Sequence, residues 1–85
     1  AGANLAGADL SRANLRRANL AGANLAGATL VNTNLLGANL ANCNLSSADL
    51  SGASLIKANL TGAMIEGVIL KGAQLEGVVG LERRP

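Results

Sequence analysis

The sequence contains no Phe, Tyr, Trp or His, one Cys, one Pro and one Met, and only 14% of it is charged. Each shortage excludes something. A single Cys cannot form a disulfide within the chain, and one thiol without His cannot make an ordinary zinc cluster. With no aromatic side chain there is nothing on which nucleic-acid bases could stack. No apolar run approaches the eighteen or so residues of a membrane span. Without His or paired carboxylates, acid–base catalysis lacks its usual groups. No Gly-rich stretch leads into Lys-Ser or Lys-Thr, so there is no phosphate loop.

What is present is small and repetitive. Apolar residues make up 49% of the 85, almost all of them Ala, Leu, Val and Ile. One domain of this size cannot rest on a few large buried side chains when it has none. Its core must be assembled from many like contributions. Residues 1 to 80 are near neutral: Arg12, Arg16, Arg17, Lys57 and Lys71 oppose Asp9, Asp49, Glu66 and Glu76. The formal net charge of the whole chain is +2, which is no footprint for nucleic acid or anionic lipid.

The order in the chain has a period of five. Leu stands at every fifth position from Leu5 to Leu60, Ile65, Leu70 and Leu75 continue the series, and Gly80 breaks it. Two places before each of these stands Ala, replaced only by Thr33, Cys43, Val68 and Val78. The residue between is usually Asn or Asp, and Gly is frequent two places after Leu. At 100° per residue an α-helix would spread these leucines around its whole circumference, and a long strand would send alternate ones to opposite faces. Both difficulties vanish if the chain bends once per repeat. The first and third residues of Ala-Asn-Leu then share the inner face, and the next two residues turn a corner that Gly eases. Such coils must stack, because one alone neither buries its interior nor pairs its backbone.

Sorting the residue before each Leu at a spacing of twenty isolates one column without Asn, namely Asp9, Thr29, Asp49 and Ile69. This favours four sides per coil. The pattern seen in ANLAG, ADLSR and ANLRR resembles the pentapeptide-repeat family over sixteen consecutive repeats, with only the last five residues outside it. The resemblance implies an all-β fold, a right-handed quadrilateral parallel β-helix. Its coils would be 1–20, 21–40, 41–60 and 61–80, followed by a tail at 81–85. At about 4.8 Å per layer the stack would be about 20 Å tall. Because the chain begins in mid-register, it is expected to be a segment of a larger protein. The compartment is left open, with the cytoplasm favoured.

Stacking makes neighbours of residues twenty apart. The Asn columns are expected to form ladders with partners above and below that satisfy the outer backbone. One side carries Arg16, Leu36, Ile56 and Glu76, all expected to point outward, beside a corner with Arg17, Gly37, Lys57 and Gly77. Arg16, Arg17, Leu36, Ile56 and Lys57 are therefore a candidate protein-contact face, two aliphatics rimmed by three cations. The arginines occupy variable outward slots that the fold neither requires nor forbids. In the last coil the outward positions hold Met64, Ile69, Gln74 and Val79. Met64, Ile69 and Val79, with Leu81, are the candidate C-terminal covering contact, beneath the tail, a flanking domain or another subunit.

Other short motifs carry less. Ser54 to Lys57 matches S-x-x-K, but the repeat sets Ser54 on a flat side without a base. Cys43 takes an inward Ala slot and is expected to be a small core residue. Asn44-Leu45-Ser46 and Asn59-Leu60-Thr61 fit glycosylation sequons, which this repeat generates by chance. No catalytic, cofactor or metal site is expected. The favoured function is a non-catalytic interaction module with an unknown protein partner or flanking domain, and end-to-end self-association is open to it. The family resemblance implies one alternative, since some pentapeptide-repeat proteins imitate duplex DNA and bind type II topoisomerases. The arginines and the short length disfavour that role. Direct nucleic-acid binding is expected to be weak and salt-sensitive, and an engineered consensus-like scaffold is the remaining alternative.

Overall fold

The computed structural model describes residues 2–81, so of the expected tail only Leu81 falls among the described residues. The two residues after each member of the five-residue series from Leu5 to Leu75 form a turn, and the residue before each forms a β-bridge. Every bridge is parallel and joins residues twenty apart, as in Asn4 to Asn24, Asn24 to Asn44 and Asn44 to Met64. Four such columns run through the molecule, starting at Asn4, Asp9, Asn14 and Asn19. A flat side has only three residues between turns. Pairing therefore yields isolated bridges rather than continuous strands.

Each turn closes with a hydrogen bond across two residues, such as Ala8 N–H to the Leu5 carbonyl at 3.0 Å. The second residue of each turn has positive φ, as a type II turn requires. Between neighbouring layers three kinds of bond repeat. Leu5 N–H donates to the Asn24 carbonyl (2.7 Å), Gly7 N–H to that of Ala26 (2.9 Å), and Asn24 N–H to that of Ala3 (2.8 Å). This ladder fixes which residues stack, and hence which side chains share the interior.

The interior is the Leu and Ala series. From Ala23 to Leu60 every member is buried, including Cys43 and Thr33 at the Ala positions. From Leu5 to Leu20 and from Ala63 to Val78 the same slots are half-buried, because each of these segments has a neighbouring layer on one side only. The two polar replacements find acceptors one layer back. Thr33 Oγ1 donates to the Leu10 carbonyl (2.7 Å) and Cys43 Sγ to that of Leu20 (2.8 Å). Among the described residues no buried side-chain nitrogen or oxygen lacks a partner.

Candidate protein-contact surfaces

The backbone ladder brings the expected contact face together. Arg17 N–H donates to the Leu36 carbonyl, Gly37 N–H to that of Ile56 and Lys57 N–H to that of Glu76, each at 2.8 Å. Arg16, Arg17 and Lys57 are exposed, but Leu36 and Ile56 are only half-buried and not open to solvent as expected. Layers above and below shade the slot after Leu in the middle of the stack, whereas Arg16 and Glu76 lie in the end layers. The aliphatic centre is thus shallower than the sequence implied, and the cations dominate the face.

Those cations do not sit on indifferent ground. Sixteen corners adopt positive φ; ten are Gly, and the others are Arg12, Arg17, Asn32, Asn42, Ser47 and Lys57. A side chain costs about 1–2 kcal/mol in this left-handed region, Asn being the better tolerated. The fold therefore admits Arg12 (φ 65), Arg17 (φ 57) and Lys57 (φ 60) only with some backbone strain, while Arg16 lies outside the positive-φ positions. Arg17 and Lys57 lean onto the glycine of the next layer. A Cβ on Gly37 would meet Arg17 Cγ at 3.4 Å, and one on Gly77 would meet Lys57 Cγ at 3.2 Å. Arg12 stands on the preceding corner, stacked with Asn32 and not in this column.

The C-terminal group divides. Met64 (52% exposed), Ile69 (46%) and Val79 (55%) are the large exposed hydrophobics. They belong to three different bridge columns and so to three different sides. Leu81 parts from them and packs against the core. The four do not form one patch. An open concavity of about 700 Å³, lined by residues including Thr61, Met64, Glu66 and Gly80, lies at this end.

The Asn columns hold a feature that the sequence reading missed. Their bridges are backbone pairs, while the side chains turn back within their own repeat. Asn24 Oδ1 accepts from Ala26 N–H (3.1 Å) and Asn34 Oδ1 from Leu36 N–H (3.1 Å), an Asx turn that holds the corner. At two of these corners a hydroxyl joins in: Ser51 Oγ donates to Asp49 Oδ1 and Thr61 Oγ1 to Asn59 Oδ1, both at 2.6 Å. The signal was available, since Asn and Asp favour such turns, but the column geometry had pointed to vertical partners. Hydrogen bonds from Ser11 and Ser51 hold the carboxyls of Asp9 and Asp49 below their ordinary value. A depressed folded pKa gives stability that is present above the unfolded value and lost as pH falls through the folded one. Melting temperature measured by circular dichroism should therefore drop more steeply below about pH 4 in the wild type than in Asp9→Asn/Asp49→Asn. That variant keeps the Oδ1 acceptor and should melt near the wild-type temperature at pH 7.

Chemistry is sparse elsewhere. Burial raises the Cys43 thiol above its ordinary value, against hydrogen bonds from Ala23 and Gly22 that lower it. Ser54 is a bridge residue and Lys57 an exposed corner. Among the described residues no three of His, Cys, Asp and Glu could hold a metal ion. Among the described residues no helix is long and apolar enough to cross a membrane.

A stack of short bridged sides around a Leu and Ala interior is a β-helix solenoid, a repeat protein. The chain belongs to the pentapeptide-repeat family: the model of pentapeptide repeats matches in eight copies, over residues 1–36, 18–55 and 43–79. Three solved structures illustrate the likeness. The pentapeptide-repeat protein alr5209 of Nostoc PCC 7120 is 41% identical, with TM-score 0.87 over 88% of this chain and 62% of its own. HetL of Nostoc sp. strain PCC 7120, involved in heterocyst differentiation regulation, is 46% identical, with TM-score 0.52 over 88% and 37%. QnrB1, a plasmid-mediated fluoroquinolone resistance protein, is 25% identical, with TM-score 0.50 over 79% and 37%. The chain spans less than two thirds of each of these proteins. No curated protein matches it.

Proposed function

We propose that residues 1–80 form a right-handed quadrilateral β-helix of four coils, 1–20, 21–40, 41–60 and 61–80, serving as a non-catalytic protein-interaction module of a longer polypeptide. Its contact face is the side of Arg16, Arg17, Leu36, Ile56 and Lys57. One observation carries this: Arg17 and Lys57 occupy positive-φ corners of one column that glycine would fill at lower cost. Strain retained at a surface position, with cations aligned beside half-buried aliphatics, supports a contact with acidic groups of a partner. The DNA-mimicking alternative has less support, because Arg12, Arg16 and Arg17 would oppose docking in a DNA-binding saddle. An engineered scaffold would have no reason to accept strained arginines.

The test is affinity capture with the wild type, Arg17→Gly/Lys57→Gly, Leu36→Asp/Ile56→Asp and the control Met64→Ser. The glycine pair removes the charge while relieving the backbone, so it should fold at least as stably. Capture of wild-type partners should fall about tenfold, equivalent to 1.4 kcal/mol, in both face variants and stay unchanged in the control. Equal capture by all four proteins would eliminate this face. Inhibition of gyrase supercoiling by the wild type would revive the DNA-mimic reading.

A further inference from the structure

Charge is not spread evenly around the stack. The four bridge columns mark four sides, with a two-residue corner between each side and the next. Among the described residues all five cations stand at the two corners that border one side, that of Asn14, Asn34, Ser54 and Gln74. Arg12 and Lys71 precede this side, Arg16, Arg17 and Lys57 follow it, and all five are exposed. Of the four acids among the described residues only Glu76 shares these corners. Asp9 and Asp49 lie on the adjoining side, in the bridge column of Asp9, Thr29, Asp49 and Ile69, and Glu66 stands at that side's other corner. The remaining two sides and the corner between them carry no charge among the described residues.

The two columns of opposite sign keep the same interval. Asp9 and Asp49 are forty residues apart, and so are Arg17 and Lys57. Each pair is therefore separated by two layers, about 10 Å along the stack. Asp9 lies in the layer of Arg17, and Asp49 in the layer of Lys57. Between them passes a layer without charge, with Thr29 between the acids and Gly37 between the cations. The backbone ladder holds these intervals rigid. A rigid partner can meet both cations at once only if its acids repeat at the same rise, and a copy of this chain supplies such a column.

We propose that the partner of the cationic face is a second copy of the chain, which sets its column of Asp9 and Asp49 against Arg17 and Lys57. This rests on the contact face proposed above and names its occupant. With the two stacks side by side, parallel and level, Asp9 meets Arg17 and Asp49 meets Lys57. A slip of one layer would set Asp49 against Gly37, Thr29 against Arg17 and Ile69 against Lys57, breaking both pairs, so the charges fix the register. The level arrangement also covers the exposed Ile69 with the layer of Gln74 and Gly77. The area is sufficient. The surface totals 4763 Å², so one side of four holds up to about 1,200 Å², where a standard contact needs about 800 Å² per partner. Exposed ion pairs each add little, which makes the contact weak and salt-sensitive. The two surfaces differ, so the contact is heterologous and each pair of copies leaves one surface of either kind free.

Sedimentation velocity on the full chain tests this. At low ionic strength the average mass of the wild type should rise with concentration by at least about twofold, the minimum for pairing. It should return to the monomer in about 1 M salt, where charges are screened within about 3 Å. Two variants separate the surfaces without straining the fold. Asp9→Asn/Asp49→Asn keeps the Asx-turn acceptor, and Arg17→Gly/Lys57→Gly relieves positive φ. Each alone should need at least about ten times the wild-type concentration to pair. Their equimolar mixture joins the intact cations of one to the intact acids of the other. It should recover a species of about twice the monomer mass and no larger. A monomeric wild type would overturn the proposal, as would association that persists in high salt or in either variant alone, or a mixture that stays monomeric. A monomeric wild type whose capture of other proteins still falls in Arg17→Gly/Lys57→Gly would reject the second copy and keep the face. Equal capture by both proteins would reject the face as well.

Discussion

Replacing Leu45 by Ala is expected to remove about 3 kcal/mol of stability, within the range of about 2–5 for emptying a fully buried leucine site. Leu45 is 0% exposed and stands between Leu25 and Ile65 in its column. Two properties keep the loss from shrinking. The layer cannot sink into the void, because Leu45 N–H bonds to the Met64 carbonyl (2.8 Å) and Leu25 N–H to that of Asn44 (2.8 Å), which hold the layers apart. No aromatic or long flexible side chain is available inside to swing across the gap, since the buried interior consists of Ala, Leu, Cys and Thr and the column neighbour in the last layer is Ile65. The same change at Leu5, half-buried in the first segment, should cost about half as much, because part of that side chain never left water. Urea denaturation reads both values as shifts in midpoint at constant slope. Equal costs at the two sites would contradict an interior whose burial depends on the number of neighbouring layers.

That dependence on layers explains what the sequence disclosed and what it concealed. One residue type per slot was enough to place Leu35 and Ala38 inside and Asn34 outside, and the twenty-residue spacing of the bridges follows the column in which Asp9 and Asp49 stand. The adjacency of Arg17, Gly37 and Lys57 was legible for the same reason. Exposure was not. Leu36 and Arg16 occupy equivalent slots in the repeat, and only the position of their layers makes one half-buried and the other exposed. Nor was the inward reach of Leu81 legible, because Gly80 looked like a simple gap in the Leu series. Its meaning depends on how closely the chain passes the Thr61 backbone, which no pattern of residue types records. The Asx turns were hidden by an ambiguity: Asn in a column suits a vertical partner as well as its own turn, and bond geometry decided for the turn.

A second large effect is expected at Gly52, where substitution by Ala should cost about 2 kcal/mol and the cost should depend on residue 32. Gly52 has φ +69, so any side chain there carries about 1–2 kcal/mol of backbone strain. A Cβ would also run into Asn32 Oδ1 of the preceding layer. That oxygen is the far end of a short side chain and can move, so the collision adds a part of the cost and not a prohibition. In an Asn32→Gly background the obstacle is gone, and Gly52→Ala should then cost the strain alone. The double-mutant cycle should return a coupling between 0.5 and about 1 kcal/mol, read by urea denaturation. The control is Gly7→Ala, with φ +70 and nothing within 4 Å of the added carbon, which should show strain without coupling to its own column. If Gly52→Ala costs the same in both backgrounds, neighbouring corners are independent. If they couple, the spacing of the cations is explained. Asn42 precedes Gly62, Ser47 precedes Gly67, Arg17 precedes Gly37 and Lys57 precedes Gly77, each side chain lying over the glycine of the next layer. Arg17 and Lys57 can then share a corner column only because Gly37 intervenes, which sets them two layers, about 10 Å, apart along the stack. Arg12 above Asn32 is the one corner pair without an intervening glycine, and there Arg12→Gly should raise stability by about 1 kcal/mol.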